Sequence, residues 1–411
     1  KYVCSELSIQ EGYNPRMGEE RDFADDGQDA DVEVEATTDD FEDVLDFLSV
    51  AFLVEDFREI HPRLYRPQHA GWNRLIKRQG SIRSCVLLVP HTWQVGDVQL
   101  RAVGVGSVST HPRARGSGLM QRLLSRRLGS LTHDLCDFVF LGGQRQRYGH
   151  FGFESCGSTL KFTFNPANVR HAFPPGSNGP GKLSFRALQA DDAASMEAVM
   201  ALHRRQAVRV DRSADAAEFF LFLRAWRNRP FVACNGVGEV VGAIVVAGKD
   251  HDKHMAVTEL LAETPALASE MLRVWMQTHS AVENLLVSLL PVEVAIAKEL
   301  SRWAESYEIS HKTMFRIIAW ERVVDTLLKM KLRLAGGYLL PGTVELLIEN
   351  FGALQLSVAA DGHSCSALAV SVVLAGGIHC SEQEAMRLLF GPLPPGFALQ
   401  GESHGHELGL L

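Results

Sequence analysis

Between Val108 and Leu124 the chain reads Val-Ser-Thr-His-Pro-Arg-Ala-Arg-Gly-Ser-Gly-Leu-Met-Gln-Arg-Leu-Leu, and this stretch limits the fold more than any other. A β-rich segment, Val98 to Thr110, meets a Pro, an Arg and two glycines and then passes into a helical pattern. Leu119, Met120, Leu123, Leu124, Leu128 and Leu131 recur at spacings of three and four, which is one face of a helix. Glycines at such a junction let backbone N–H groups approach a ligand closely, and a helix start concentrates unpaired donors and positive dipole there. Arg115 adds a fixed cationic fork. A strand, loop and helix of this composition form a cradle for an anionic phosphate group, or, in the plainer reading, a Gly-rich turn without a ligand.

The spacing selects among phosphate ligands. A Walker loop needs Lys-Ser/Thr after its last glycine, and Leu119-Met120 stand there instead. Gly104, Gly106, Gly116 and Gly118 do not match the dinucleotide fingerprint either. The stretch resembles the acyl-CoA loop of the GNAT acetyltransferases, Val-x-Pro-x-x-Arg-x-x-Gly-x-Gly/Ala, through Thr110, Pro112, Arg115, Gly118 and Met120. Thr110 in place of Val and Met120 in place of a small residue are departures. A second stretch, Arg147-Tyr148-Gly-His-Phe-Gly-Phe-Glu154, follows the apolar strand Phe138–Leu141. It resembles the Tyr-Gly-x-Phe-Gly-Tyr segment of the enhanced intracellular survival (Eis) family of GNAT enzymes, which also tolerates a larger residue at the Met120 position. An isolated Tyr is more often a half-buried turn anchor; two motifs in the right order favour catalysis.

The 411 residues exceed one ordinary domain, and two to three are expected. A hydrophobic content of 46% and a mean hydropathy near zero (−0.01) describe a globular protein with material for several cores. No apolar run approaches the ~20 residues of a membrane span, and the N-terminus is acidic rather than signal-like. A Lys start without Met suggests that the true beginning is missing. The seven cysteines form no Cys-x-x-Cys and read as free core thiols of a cytoplasmic protein. The sixteen histidines offer no metal motif, and His251 with His254 reads as a solvated loop. A net charge of −8 argues against nucleic acid and is compatible with cationic substrates.

Along the chain, residues 1–30 read as an acidic tail. Val32, Val34 and Ala36 alternate as a strand, and Thr37/Asp39 with Asp40/Glu42 start a helix whose buried face is Phe41, Val44, Leu45, Leu48 and Phe52. Strands follow at Cys85–Val89, Thr92–Val95 and Val98–Thr110, and the unit closes with Leu160–Phe164. This spans 31–172. The Pro/Gly run 173–182 is a linker. In 183–320, strands at Leu183–Ala187, Phe231–Asn235, Gly242–Ala247 and Glu259–Ala262, with helices Asp191–Arg209 and Pro265–His279, repeat the order without an Arg-x-x-Gly-x-Gly. From Trp320 the pattern changes: 321–411 holds helix Glu321–Met330, strands Gly342–Glu349 and Ala353–Val358, and a helix opened by Ser381-Glu-Gln-Glu384 and closed by Gly391-Pro392. The Eis resemblance implies an α/β (α+β) chain of tandem GNAT folds, mixed sheets flanked by helices, the second degenerate, followed by a sterol-carrier-like α+β domain.

The resemblance also implies the chemistry: direct acetyl transfer from acetyl-CoA, without metal, to a primary amine on a small molecule or lysine side chain. Strand backbone at Val108, Ser109 and Thr110 would meet the thioester and pantetheine. Arg113, Arg115 and the amides of Gly116, Ser117, Gly118, Leu119 and Met120 would hold the pyrophosphate. Tyr148 would be the general acid that reprotonates the thiolate, protonated at neutral pH with an ordinary pKa of about 10. Arg113 reads equally as a solvated helix-start cation. In the Eis family the C-terminal carboxylate helps deprotonate the amine, so either Leu411 does so or the true C-terminus lies beyond it; the second reading is preferred. Glu55 and Asp56 line the entrance or form a solvated helix end. The family implies a homo-oligomer, a hexamer. Competing functions are a non-catalytic acyl-CoA sensor and a lipid carrier using the C-terminal domain.

Overall fold

The computed structural model describes residues 30–54, 56–174, 183–249, 252–371 and 377–391. The chain starts with β1 (Val32–Glu35), α1 (Phe41–Phe52) and the short α2 (Phe57–Ile60). The turn before α1 is fixed by Thr37, whose N–H donates to the Asp40 carboxylate at 2.9 Å. Phe41, Val44, Leu45, Phe47 and Leu48 form the buried stripe of α1. Strands β2 (Asn73–Arg78), β3 (Ser81–Val95) and β4 (Val98–Thr110) make an antiparallel meander. Helix α3 (Leu119–Gly129) crosses over to β5 (Phe138–Gly142), parallel to β4, and α4 (Arg145–Tyr148) and β6 (Glu154–Ser155) follow. The sequence reading divides β3 at Pro90 and misses β2. Pro90 is exposed, and its missing donor does not interrupt the pairing with Val103.

The next stretch holds β7 (Thr159–Phe164), α5 (Pro166–Ala172), β8 (Ser184–Ala187), α6 (Ala193–Arg204), β9 (Val208–Val210) and α7 (Ala216–Leu223). Then come β10 (Arg229–Cys234), β11 (Val240–Ala247), β12 (His254–Ala262), α8 (Pro265–Thr278), β13 (Asn284–Leu289), α9 (Val294–Leu300), β14 (Ser306–Ser310) and β15 (Thr313–Ile317). The first sheet has the order β1-β2-β3-β4-β5-β15-β6, with β9 added on β3; the second has the order β14-β7-β13-β12-β11-β10-β8. Three expectations are corrected. Leu160–Phe164 does not close the first sheet: it lies in the second, where Phe164 is fully buried against Trp303 at 4.2 Å between ring centroids. The edge of β5 is taken by β15 instead, which buries Met314 and Ile317. And the helix from Asp191 stops at Arg204, because Val208 and Val210 extend to pair with Val95 and Trp93.

A third, four-stranded sheet has the order β18-β17-β16-β19, from β16 (Gly342–Ile348), β17 (Gly352–Val358), β18 (Cys365–Val370) and β19 (Ile378–Cys380). It is flanked by α10 (Trp320–Leu334) and α11 (Glu382–Phe390), the latter opened by the Ser381/Glu384 capping box. Leu346, Leu354, Met386 and Phe390 share one apolar core with Leu100, Phe138 and Phe140 of the first sheet. Among the described residues no helix is long and apolar enough to cross a membrane. The linker residues 175–182, the N-terminal residues 1–29, His251 and the C-terminal 392–411 lie outside the described residues.

Candidate active site

Strands β4 and β5 pair only from Ala102–Gly104 to Phe138–Phe140. From Val105 onward β4 keeps its ladder with β3 alone among the described strands, so one edge of its backbone is open from three residues before Val108. A bulge sharpens the divergence: Cys85 faces Ser109 while Leu87 faces Gly106, so Ser107 and Val108 together oppose Val86. Ser107 adopts φ 50°, in the left-handed region. Side chains brace it. The Ser107 hydroxyl is hydrogen-bonded to buried Tyr65, the Ser109 hydroxyl donates to the Ser107 carbonyl at 2.9 Å, and Ser84 donates to the Ser109 carbonyl at 2.8 Å.

Beyond the bulge the loop takes the shape its glycines permit. Gly116 and Gly118 have φ 84° and 72°, and a Cβ at either position would meet nothing within 4 Å; backbone conformation, not crowding, calls for glycine. The Ser117 hydroxyl donates to the Ala114 carbonyl at 2.5 Å, and Arg113 N–H donates to His111 Nδ1 at 3.2 Å. Arg113, Arg115, Gly116, Ser117 and Gly118 are exposed, while Leu119 is buried and anchors the first turn of α3. Half-buried Val108 and Met120 pack on the core that contains Leu119, which explains how a residue as large as Met fits there. Thr110 is half-buried and Ser109 buried. The His111 imidazole is held below its usual pKa, first by desolvation and then by the cations Arg83, Arg113 and Arg115. Among the described residues none of these three guanidiniums has a carboxylate partner. The arrangement is an exposed cationic loop beside a helix N-terminus.

Tyr148 belongs to the same apolar cluster as Val105, Val108, Leu119 and Met120. Burial pushes its phenol above the ordinary value, against the opposing influence of Arg147, so it is a proton carrier at neutral pH. Its ring is 6.4 Å from Phe153 and 6.5 Å from Phe151, centroid to centroid. A Cβ on Gly143 would lie 2.3 Å from Tyr148 Cε2, so only glycine lets the ring occupy this place; no motif announces that residue. The segment after Tyr148 is held by α11, since Gln383 Nε2 donates to the carbonyls of Gly149 and Phe153 at 2.8 and 3.1 Å. Glu154 beside it is buried, which alone would raise its pKa, but Arg145 at 2.7 Å and Arg387 at 2.6 Å hold it low.

A cavity of about 120 Å³ opens where β4 and β5 part, lined by Gly104–Ser107 and Gly142. His61 and Tyr65 enclose it from the turn after α2, Leu87 and His91 from β3, and Phe222 and Trp226 from the second unit. Desolvation pushes His61 down to about 4 and, aided by Arg63, His91 to about 3, so both imidazoles are neutral. Trp226 and Arg227 are consecutive non-glycine residues with φ 62° and 56°, and Trp226 meets His61 edge-on at 4.4 Å. None of these residues is visible in a motif. Asp56 accepts the Arg58 N–H at 2.7 Å as a helix cap, and Glu55 lies outside the described residues. Among the described residues no three His, Cys, Asp or Glu side chains form a group able to hold a metal ion.

Residues 34–156 match the acetyltransferase (GNAT) domain family. The described chain shares its fold with a probable N-acyltransferase from Enterococcus faecalis V583, at TM-score 0.63 and 14% identity over 88% of this chain and 90% of that one. It is similarly related to a GCN5-related N-acetyltransferase from Kribbella flavida, at TM-score 0.63 and 18% identity over 89% and 90%. Eis1 from Mycobacterium abscessus superposes at TM-score 0.61 and 14% identity over 88% and 90%. Comparison of the sequence with curated proteins found no match. The mixed sheets flanked by helices are of the GNAT type, and the first unit is an acyltransferase domain.

Proposed function

We propose that this chain is an acyl-CoA-dependent N-acetyltransferase that moves an acetyl group from acetyl-CoA directly to a primary amine, with Tyr148 as general acid. One observation carries the reading: an open β4 edge runs straight into a left-handed glycine loop flanked by three guanidiniums that have no carboxylate partner among the described residues, with Tyr148 in the core beneath. The loop amides of Gly116–Met120 with Arg113 and Arg115 suit the pyrophosphate. Free N–H groups of β4 beyond Gly104 suit the pantetheine arm and the thioester oxygen. The amine nitrogen attacks the carbonyl carbon, the C–S bond breaks, Tyr148 delivers its proton to sulfur, and the proton lost from nitrogen restores the phenol. Among its described residues the second unit has no such glycine loop before its corresponding helix. Its corresponding helix α8 is capped by Thr264, whose hydroxyl accepts the Leu267 N–H at 3.2 Å and so meets one of the donors a phosphate would use. The four strands and two helices of the third unit suit a sterol-carrier-like α+β domain. Its packing against Phe138 and Phe140 favours a structural role over a lipid carrier's.

Tyr148→Phe tests the assignment. Calorimetric titration is expected to show one acetyl-CoA per chain with Kd unchanged, while CoA release falls ~100- to 10,000-fold, the usual range for a general acid. Near wild-type turnover would remove Tyr148 from the mechanism.

A further inference from the structure

We propose that the acceptor is a compact apolar monoamine, an aromatic or branched-alkyl body bearing one amino group, bound in the cavity between the parting strands β4 and β5 and Trp226, and that this site rejects polycations. The inference rests on the acyltransferase reading and narrows its substrate class. Position comes first. The cavity is lined by the stretch of β4 whose edge is open and by Gly142 beyond the last β5 pair, so an occupant lies against the strand assigned to the thioester.

Size and charge then choose the occupant. A cavity of about 120 Å³ is near the roughly 150 Å³ of an engineered apolar cavity that admits benzene. Among the described lining residues the one formal charge is positive, Arg63, and its guanidinium already covers the Phe222 ring at 4.1 Å. His61 and His91 are neutral. A second ammonium group on the acceptor would be buried here with no carboxylate among the described lining residues to meet it and with Arg63 repelling it. A single amine fares differently, because it must be neutral to react. Desolvation, which strips the proton from both imidazoles, disfavours the ammonium in the same way. The amine therefore gives up one proton to solvent on binding and attacks as the free base, without a paired carboxylate. Trp226, held in a left-handed turn against His61, forms part of the cavity wall.

The test is acetyl-CoA consumption by the full chain with 2-phenylethylamine, isopentylamine, spermidine and kanamycin as acceptors. We expect kcat/KM for the two apolar monoamines to exceed that for spermidine and kanamycin by roughly 100-fold or more, since the extra ammonium groups stay unpaired. Trp226→Ala is expected to shift preference towards 4-phenylbutylamine with acetyl-CoA Kd unchanged; Trp226→Phe, a smaller change, should shift it less in the same direction. Spermidine or kanamycin turning over as well as phenylethylamine would overturn this inference and leave the acyltransferase standing. An unaltered amine preference in both Trp226 variants would remove the cavity as acceptor site. If no amine consumes acetyl-CoA, the transferase reading itself fails and takes this one with it.

Discussion

His61 and His91 make the cavity sensitive to acid. Each is neutral in the folded chain, with its pKa pushed by desolvation to about 4 and about 3, whereas an unfolded imidazole titrates near ~6.5. Below ~6.5 the unfolded chain therefore binds protons that the folded chain refuses, and acid favours unfolding. The stability they contribute is fully present above ~6.5 and drains as pH falls towards about 4, at up to ~1.4 kcal/mol per pH unit for each His. Thermal melts at pH 7.5 and 5.0 are expected to show a marked drop in Tm, and His61→Gln should flatten that dependence. An identical slope in the variant would mean that other groups govern it. His203, pushed to about 3 by burial, adds to the same trend.

The glycine loop shows what an element can be asked to reveal. Gly118 precedes α3 with φ 72° and ψ 3° and open space around it, so Gly118→Ala meets only the backbone penalty of ~1–2 kcal/mol. Its added methyl would also stand where phosphate oxygens approach the helix start. Calorimetry with CoA is expected to show at least a tenfold weaker Kd, with a small fall in Tm; unchanged affinity would place the pyrophosphate elsewhere. This loop was legible because its chemistry is local: strand, Pro, Arg, Gly and helix are contiguous, and so is the Tyr148 segment. Elements whose placement depends on distant partners were not. Thr313–Ile317 and Thr159–Phe164 are both short apolar strands, and nothing within either says which sheet it completes. The cavity was illegible for the same reason. His61, His91 and Trp226 come from three separate segments and acquire their chemistry only through shared burial.

At the scale of the molecule, the exchange of strands makes the units mutually dependent. β15 lies at the end of the second unit's stretch of sequence yet completes the first sheet, and β7 precedes that unit yet sits between β14 and β13. α11 comes later still and holds the segment after Tyr148 through Gln383 and Arg387. A fragment of residues 30–174 would thus keep the whole CoA cradle and Tyr148 but lose the strand that covers β5. Phe138, Val139, Phe140 and Leu141, each at most 5% exposed in the full chain, would then line an open sheet edge and an uncovered face. Phe162 and Phe164 would lose the second core altogether. The fragment is expected to aggregate or to melt without a cooperative transition, and to bind no CoA, whereas residues 30–391 melt cooperatively. Calorimetry and light scattering on the two chains decide it: a soluble 30–174 fragment with a sharp melt and wild-type CoA affinity would show that the first sheet needs neither β15 nor α11. Loss of binding in a fragment that retains every cradle residue would instead mean that the cradle is positioned by strands encoded some two hundred residues downstream.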